Sequence, residues 1–461
     1  MFRGKVRTIH FVGIGGIGMS GIAEVLINLG FQVTGSDQRS GASVERLRSL
    51  GAVVHVGHAA EHVGVADVVV RSSAVHDDNP EVRAAIDAGV PVIPRAEMLA
   101  ELMRLKEGVA IAGTHGKTTT TSMVAACLVA GGIDPTVVIG GRLGILGNTN
   151  ARLGTGEYLV AEADESDGSF LLLSPTVALV TNIDPEHLDH YGTVEAMEAA
   201  FLAFASDVPF YGCAVLCLDH PVVARMIPQI RRRVITYGLA RHADVRASSV
   251  THRGLETSFR VHQGERLLGE ITLGMPGAHN VLNALGAIAI ANELGVSFEH
   301  VARALDHFGG VQRRFTVRGE VGGVMVVDDY GHHPVEIEAT LRAADEGFPD
   351  RRIIAVFQPH RYTRLRDAWT GFCTAFHCAD LVLVCPVYPA GEEPIPGVDH
   401  EAITAALREH GHRNATAVPD LQAAVAWLGE RLAPGDIVIT LGAGSVGEVC
   451  GQVLAQLEAR S

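Results

Sequence analysis

Lysine is nearly missing from this chain. Only Lys5, Lys106 and Lys117 occur, although Lys and Arg together number 37. Chemistry that needs an ammonium group therefore has few places to sit. Positive charge is also short overall: the net charge is −15, which argues against nonspecific nucleic-acid binding, since that draws on a basic surface. The seven cysteines are odd in number and form no C-x-x-C pair. Cys213/Cys217 and Cys373/Cys378 are loosely spaced, and neither has a second half of a zinc site nearby, so reduced core thiols are expected. No uninterrupted apolar stretch approaches the roughly 20 residues of a transmembrane helix. Met1 to Lys5 run straight into a strand-like segment without a signal-peptide pattern. The expectation is a cytoplasmic protein without membrane insertion.

What is present is material for large cores. Hydrophobic residues make up 47% and charged residues 19% of 461, with 52 glycines for tight turns; that length suggests about three domains. Strand signals at Thr8 to Val12, Phe31 to Thr34, Asp67 to Val70 and Pro91 to Ile93 alternate with helical spacing at Met19 to Leu29 and Val82 to Ala88. This predicts a doubly wound parallel sheet over 1–107. A charged stretch, Glu101 to Glu107, marks the first boundary. The next segment, 108–310, has apolar strands at Val109 to Ala112, Tyr158 to Ala161 and Val177 to Val180. It adds an alternating region from Ala243 to Leu273 suited to a small antiparallel side sheet, then a helix from Ala278 to Leu294. The last, 311–461, restarts the α/β rhythm at Val324 to Val327, Ile353 to Phe357, Leu381 to Val384 and Ile437 to Thr440. The fold class expected is α/β with three domains in series: a Rossmann-like first domain, a P-loop ATPase-like central domain and a Rossmann-like C-terminal domain.

The sharpest motif is Gly113-Thr114-His115-Gly116-Lys117-Thr118-Thr119, which follows a strand and opens a helix. Backbone N–H groups there can face phosphates, the Lys117 ammonium can neutralise β/γ charge, and a hydroxyl can hold Mg²⁺. The standard spacing would put glycine at position 111, which is Ile111, so the match is to a shortened variant. A glycine turn with an incidental lysine is the bland alternative, and the scarcity of lysine argues against it. Mg²⁺ needs oxygen ligands, and Glu162-Ala-Asp-Glu-Ser-Asp167 supplies carboxylates at the next strand's end, with Glu162 directly ending the apolar run. His187, in Thr181-Asn-Ile-Asp-Pro-Glu-His187, is a poor Mg²⁺ ligand by intrinsic preference, but it ends a strand of the same sheet. Gly13, Gly15, Gly16 and Gly18, with Asp37 about two dozen residues later, fit a diphosphate-binding turn. That device serves a UDP-sugar as well as it serves NAD. Asp328-Asp-Tyr-Gly-His-His-Pro334, His279-Asn280, Asn283 and Arg313-Arg314 are further polar groups at strand ends and helix starts.

Seven ordered strings make the chain resemble the muramyl (Mur) ligases along essentially its whole length. They are H-F-V-G-I-G-G-I-G-M-S-G at 10–21, G-T-H-G-K-T-T-T-T at 113–121, A-E-A-D-E-S-D at 161–167, T-N-I-D-P-E-H-L-D-H at 181–190, H-N-V-L-N-A at 279–284, V-D-D-Y-G-H-H-P at 327–334 and Q-P-H-R-Y-T-R at 358–364. The resemblance implies an ATP-dependent amide-forming ligase of cell-wall peptidoglycan synthesis, of the type that adds L-alanine to the lactyl carboxylate of UDP-N-acetylmuramate. Its first domain would bind the UDP moiety through the glycine loop and Asp37, with Ser72 and Ser73 nearby. The central domain would bind ATP through Gly113 to Thr119. Thr118 and Glu162 would hold one Mg²⁺ and His187 a second. Asn280, Asn283, Arg314 and Asp329 would contact the nucleotide. His333, Arg361 and Arg364 would lie close to the reacting carboxylate and the amino acid, with His333 the candidate for taking the amine proton. Later-acting ligases of the family resemble one another in using a carbamylated lysine in the central domain; here that domain contains only Lys117, which favours the alanine-adding type.

The implied chemistry is physically sensible. A carboxylate becomes a good acyl donor once ATP has phosphorylated it, and the amine of L-alanine then displaces phosphate. Substrates held on three domains predict closure that excludes water. A monomer or homodimer is expected. The alternatives are a ligase recycling a tripeptide onto the same acceptor, an NAD-dependent oxidoreductase resting on the first glycine loop, and a regulatory nucleotide-binding module without catalysis.

Overall fold

In a computed structural model the protein is described over residues 6–72, 74–143 and 149–460. Three sheets follow one another along the chain, the three-domain α/β arrangement expected. The first is fully parallel. Its strands stand in the order Val53–Val56, Gln32–Asp37, Thr8–Val12, Val68–Arg71, Val92–Pro94. Strand order reverses between Thr8–Val12 and Val68–Arg71, so the crevice that doubly wound sheets offer to ligands opens where Gly13 and Ser72 emerge. The helix after the glycines is Ile17–Asn28; Gly18 therefore lies inside its first turn and not ahead of it. The charged stretch at 101–107 is likewise partly helical, closing Arg95–Met103, because Leu102 and Met103 are buried against the core.

The second sheet has ten strands. Its parallel centre orders Val177–Val180, Glu107–Ala112, Tyr158–Glu162 and Thr136–Leu143 side by side. These strands run as near-continuous Val, Ile, Leu and Ala, as strands covered on both faces must. The region 243–273 folds into Val245–Arg253, Glu256–Gln263 and Arg266–Leu273, joined by two-residue turns that reverse the chain. They extend the central sheet at its edge rather than standing apart from it. The third sheet orders Thr316–Val321, Val324–Asp329, Asp436–Leu441, Arg352–Phe357, Leu381–Val384 and Ala415–Ala417, parallel except for the first pair.

By compactness the chain divides into two units. One comprises Met1–Ser248, Arg260–Ile271 and Leu282–Phe308; the other comprises Ser249–Phe259, Thr272–Val281 and Gly309–Ser461. Within the first, the helix Ile17–Asn28 packs against the strand Thr136–Leu143, and a single apolar cluster runs from Ile9 and Phe11 to Phe201 and Phe204. The second has a core on each face of its sheet, one around Phe357, Phe372 and Phe376, the other around Val438, Val449 and Val453. All seven cysteines are free thiols, six of them buried. Among the described residues no helix is long and apolar enough to cross a membrane.

Candidate active site

In the first unit, three neighbouring parallel strands end at one edge of the central sheet. Glu107–Ala112 leads into the loop 113–116 and the helix Lys117–Ala130. Tyr158–Glu162 delivers Glu162 on one side, and Val177–Val180 delivers Thr181 to Asp184 on the other. The loop must be glycine at both ends. Gly113 and Gly116 have φ of +133° and +80°, and a Cβ on Gly113 would collide with Thr181 while one on Gly116 would lie 2.5 Å from Asn283 Oδ1. The neighbouring string straps the loop down. The His115 N–H donates to Asn182 Oδ1 (2.7 Å), and the His115 carbonyl accepts from Asn182 Nδ2 (3.0 Å) and the Thr181 hydroxyl (2.7 Å). The Thr114 hydroxyl donates to the Asp184 carbonyl (3.2 Å). Burial works to raise the pKa of the Asp184 carboxyl, but hydrogen bonds from His115 and His220 hold it well below the usual range.

Lys117, Thr118, Glu162 and His187 gather at this edge. Lys117 Nζ donates to the Gly113 and Thr114 carbonyls and to Glu165 Oε1 (2.8 Å). Burial would lower its pKa, yet Glu165 beside it raises the balance, so the amine stays charged. Glu162 accepts from the Thr118 hydroxyl and the Gly140 N–H, but burial dominates and lifts its carboxyl above the ordinary value. His187, in a left-handed conformation (φ 54°), places Nε2 3.1 Å from Glu186 and 3.9 Å from Glu165. Thr119 is buried in the helix's first turn. Asn283 is buried too, accepting from the Thr120 hydroxyl at 3.1 Å.

The first glycine loop lies in the same unit. The N–H groups of Gly13 and Ile14 donate to the Ser36 carbonyl (2.9 and 3.0 Å), and Gly13 lies against Ser72. Asp37 accepts from the Gly15 N–H at 2.8 Å and the Arg39 N–H at 3.3 Å, so both its oxygens already hold the turn. Gly16 is the helix N-cap residue. The Arg95 side chain lies over Gly18 and reaches Asp164 at 2.9 Å. Ser73 lies outside the described residues.

The second unit assembles its own polar group. Asp329, buried at a strand end, accepts from the Phe315 and Gly331 N–H groups at 2.7 Å each; burial raises its pKa against the pull of Arg314. Arg314 pairs with Glu336 at 3.5 Å. His333 is the buried N-cap residue of the helix Pro334–Gly347. Arg361 is exposed and has φ of 69°, and Arg364 Nη1 lies 3.3 Å from His360 Nδ1. Asn280 donates to the Pro276 carbonyl at 2.8 Å. Of six non-glycine residues with positive φ among those described, four are His187, Arg313, Phe315 and Arg361. Strain of this kind costs about 1–3 kcal/mol per residue and gathers at functional sites; His187 and Arg361 lie within two of the seven strings, and the backbones of Arg313 and Phe315 bond Tyr330 and Asp329 of the string at 327–334.

Three family models match consecutive segments: the Mur ligase family catalytic domain over residues 8–107, the Mur ligase middle domain over 111–291, and the Mur ligase glutamate ligase domain over 313–444. The chain belongs to the Mur ligase family. This Mur ligase is 59% identical over 456 residues to a UDP-N-acetylmuramate–L-alanine ligase of Geobacter sp. (strain M21), covering 99% of each chain. It is 57% identical to one of Sorangium cellulosum (strain So ce56), covering 100% of this chain and 98% of that one. Among solved structures, the UDP-N-acetylmuramate–alanine ligase of Thermotoga maritima superposes with a TM-score of 0.82 at 31% identity, covering 98% of this chain and 100% of that one. A murein peptide ligase of Psychrobacter arcticus 273-4 shares the fold, with a TM-score of 0.70 at 24% identity and 98% of each chain covered.

The donor set of this Mur ligase fits one hard cation. The Thr118 hydroxyl already bonds Glu162, and Glu162 Oε1 is buried with no hydrogen-bond partner, so an oxygen is left for Mg²⁺ to satisfy. Among the described residues no cluster of three or more His, Cys, Asp or Glu side chains is arranged to hold a metal. Phosphate oxygens and water would complete the shell, as Mg²⁺ prefers. Sequence reasoning missed three parts of the site. Glu165 lay inside a quoted string but three residues past the strand end that singled out Glu162. The pairing of Asn182 with the His115 backbone, and of Arg95 with Asp164, left no local pattern to read.

Proposed function

We propose that this protein joins L-alanine to the lactyl carboxylate of UDP-N-acetylmuramate at the expense of ATP, giving UDP-N-acetylmuramoyl-L-alanine, ADP and phosphate for peptidoglycan synthesis in the cytoplasm. The observation that carries this reading is the gathering of Lys117, Thr118 and Glu162 at one sheet edge. Near-full-length identity to alanine-adding ligases supports the choice of substrates.

ATP would lie with its phosphates over the N–H groups of 113–119, and Lys117 would stabilise the charge of the transferring phosphoryl group. Thr118 and Glu162 would hold Mg²⁺, which when bound neutralises phosphate charge; His187 is assigned to a second ion. Phosphoryl transfer to the lactyl carboxylate gives an acyl phosphate, and the amine of L-alanine attacks its carbonyl carbon and expels phosphate. Gly13, Gly15, Gly16, Gly18, Asp37 and Ser72 are assigned to the UDP-sugar. Asn280, Asn283, Arg314 and Asp329 are assigned to ATP, and Arg361 and Arg364 to the amino acid. His333 is assigned the amine proton.

The test is phosphate release with Mg-ATP and UDP-N-acetylmuramate plus L-alanine, glycine, L-serine or the recycling tripeptide in separate reactions. L-Alanine is expected to give the fastest release and a product heavier by one alanyl residue. Some glycine and L-serine use is also expected, because side chains so close in size differ by only about 1–3 kcal/mol of selectivity. Release with the tripeptide alone would move the enzyme to recycling, and none in any reaction would leave a binding module. NAD(H) is expected not to bind in a fluorescence titration; an oxidoreductase reading leaves Lys117, Thr118 and Glu162 at the sheet edge without a role.

A further inference from the structure

An ammonium group has three N–H donors, and Lys117 uses all three inside its own unit. They go to the Gly113 carbonyl (2.6 Å), the Thr114 carbonyl (3.1 Å) and Glu165 Oε1 (2.8 Å). A lysine so engaged cannot take up a phosphate without giving up a partner. The two carbonyls belong to the loop itself; Glu165 is the anion that competes with a phosphate for the charge. Glu165 is 2% exposed, and its backbone carbonyl accepts from the Tyr191 hydroxyl (2.5 Å) and the Gly168 N–H (3.0 Å), which fix it in place. Its second oxygen, Oε2, is buried with no hydrogen-bond partner. The pair is therefore poorly compensated on the carboxylate side, and buried pairs of that kind are weak sources of stability. On losing Lys117 the carboxylate still has His187 Nε2, 3.9 Å from Oε1, within ion-pair reach.

We propose that Glu165 is a positioning residue that latches the phosphate-loop lysine: it holds Lys117 against the loop while nucleotide is absent and yields it to the phosphates when nucleotide enters. The proposal rests on 113–119 being a nucleotide loop. Part of the attraction between Lys117 and the phosphates is then used to break the Lys117–Glu165 pair. Removing the carboxylate should tighten nucleotide binding, whereas a residue that only braces the loop would weaken binding when removed.

The experiment is calorimetric titration of ADP and of inorganic tripolyphosphate into the full chain, with EDTA present so that no metal contributes. Glu165→Gln is expected to bind both about fivefold more tightly than wild type, the order of effect of losing one competing ion pair. Glu165→Asp, which keeps the charge but shortens the reach, is expected to fall between and serves if the glutamine variant fails to fold. Equal or weaker binding by a folded variant overturns the latch alone. Wild type that binds neither ligand overturns the nucleotide reading and the latch with it.

Discussion

Two loops of this protein share one backbone device and differ in the charge placed on it. Both follow a buried parallel strand, both are rich in glycine, and both open a helix: Gly13 to Gly16 before Ile17–Asn28, and Gly113 to Gly116 before Lys117–Ala130. The first is held by a carboxylate, Asp37, which accepts from Gly15, and the first turn of its helix has no lysine. The His115 backbone of the second is held by neutral Asn182 and Thr181, with the Asp184 carboxylate on the His115 ring, and its helix begins with a lysine. A helix N-terminus alone can bind a diphosphate as a passive anion. Moving a phosphoryl group takes a cation that follows the developing charge. On the proposed reading, that difference separates a loop that binds from a loop that also reacts.

The largest effect should come from removing that difference. Lys117→Ala and Glu162→Ala are each expected to lower kcat by about 10³-fold or more, with circular dichroism and the melting transition retained. Phosphate release near the wild-type rate in either folded variant would make the two loops equivalent binders and sink the assignment.

A second contrast lies beneath the first loop. Ser36, whose carbonyl anchors Gly13 and Ile14, gives its hydroxyl to the fully buried Glu81 (2.5 Å), which also takes His62 (2.8 Å) and His10 (3.4 Å). Burial works to raise the Glu81 pKa, but these hydrogen bonds win and bring it from 4.5 to about 2. Glu165, with fewer donors, is shifted upward instead by burial. A carboxylate with a depressed folded pKa contributes stability above its unfolded pKa and loses it as pH falls. Glu81 should thus supply about 3 kcal/mol at neutral pH, draining away between about pH 4.5 and pH 2. Urea unfolding of Glu81→Gln should show a lower stability at pH 7 and a gap from wild type that closes on acidification. A gap constant with pH would mean that packing, not charge, is what Glu81 contributes.

How far these features were legible depends on whether their cause is local. Thr8–Val12, Val177–Val180 and Leu381–Val384 appear in the structure at the residues predicted, because buried parallel strands are rich in β-branched and apolar residues, even where one, His10, is polar. Val53–Val56 and Ala415–Ala417 were not foreseen: they are short edge strands, and the first is half exposed, so neither needs an apolar run. The helix Ala42–Ser49 buries only Val44 and Leu47, too little for a periodic stripe. The loop 113–116 between a strand and the helix Lys117–Ala130 was legible from glycine spacing and one rare lysine. Glu165, the carboxylate partner of that lysine, is 48 residues away, and Glu81 draws donors from His10, Ser36 and His62, 71, 45 and 19 residues away, so only the folded chain brings them together.

The smallest effects should separate the two loops by backbone alone. Gly116 is the N-cap residue of its helix at φ +80°, and a Cβ there would lie 2.5 Å from Asn283 Oδ1. Gly116→Ala should therefore cost about 1–3 kcal/mol in left-handed strain. Gly16 is the N-cap residue of the other helix at φ −58° and ψ 143°, a conformation open to any L-residue, and a Cβ would meet nothing nearer than the Gly13 carbonyl at 3.5 Å. Gly16→Ala should change stability by no more than about 0.5 kcal/mol, while a methyl group at the loop surface raises KM for UDP-N-acetylmuramate and leaves KM for ATP alone. Paired melting curves and substrate titrations of the two variants test this. Equal losses of Tm would show that the first loop is as tightly wound as the second, and a raised KM for ATP in Gly16→Ala would remove the division of ligands between them.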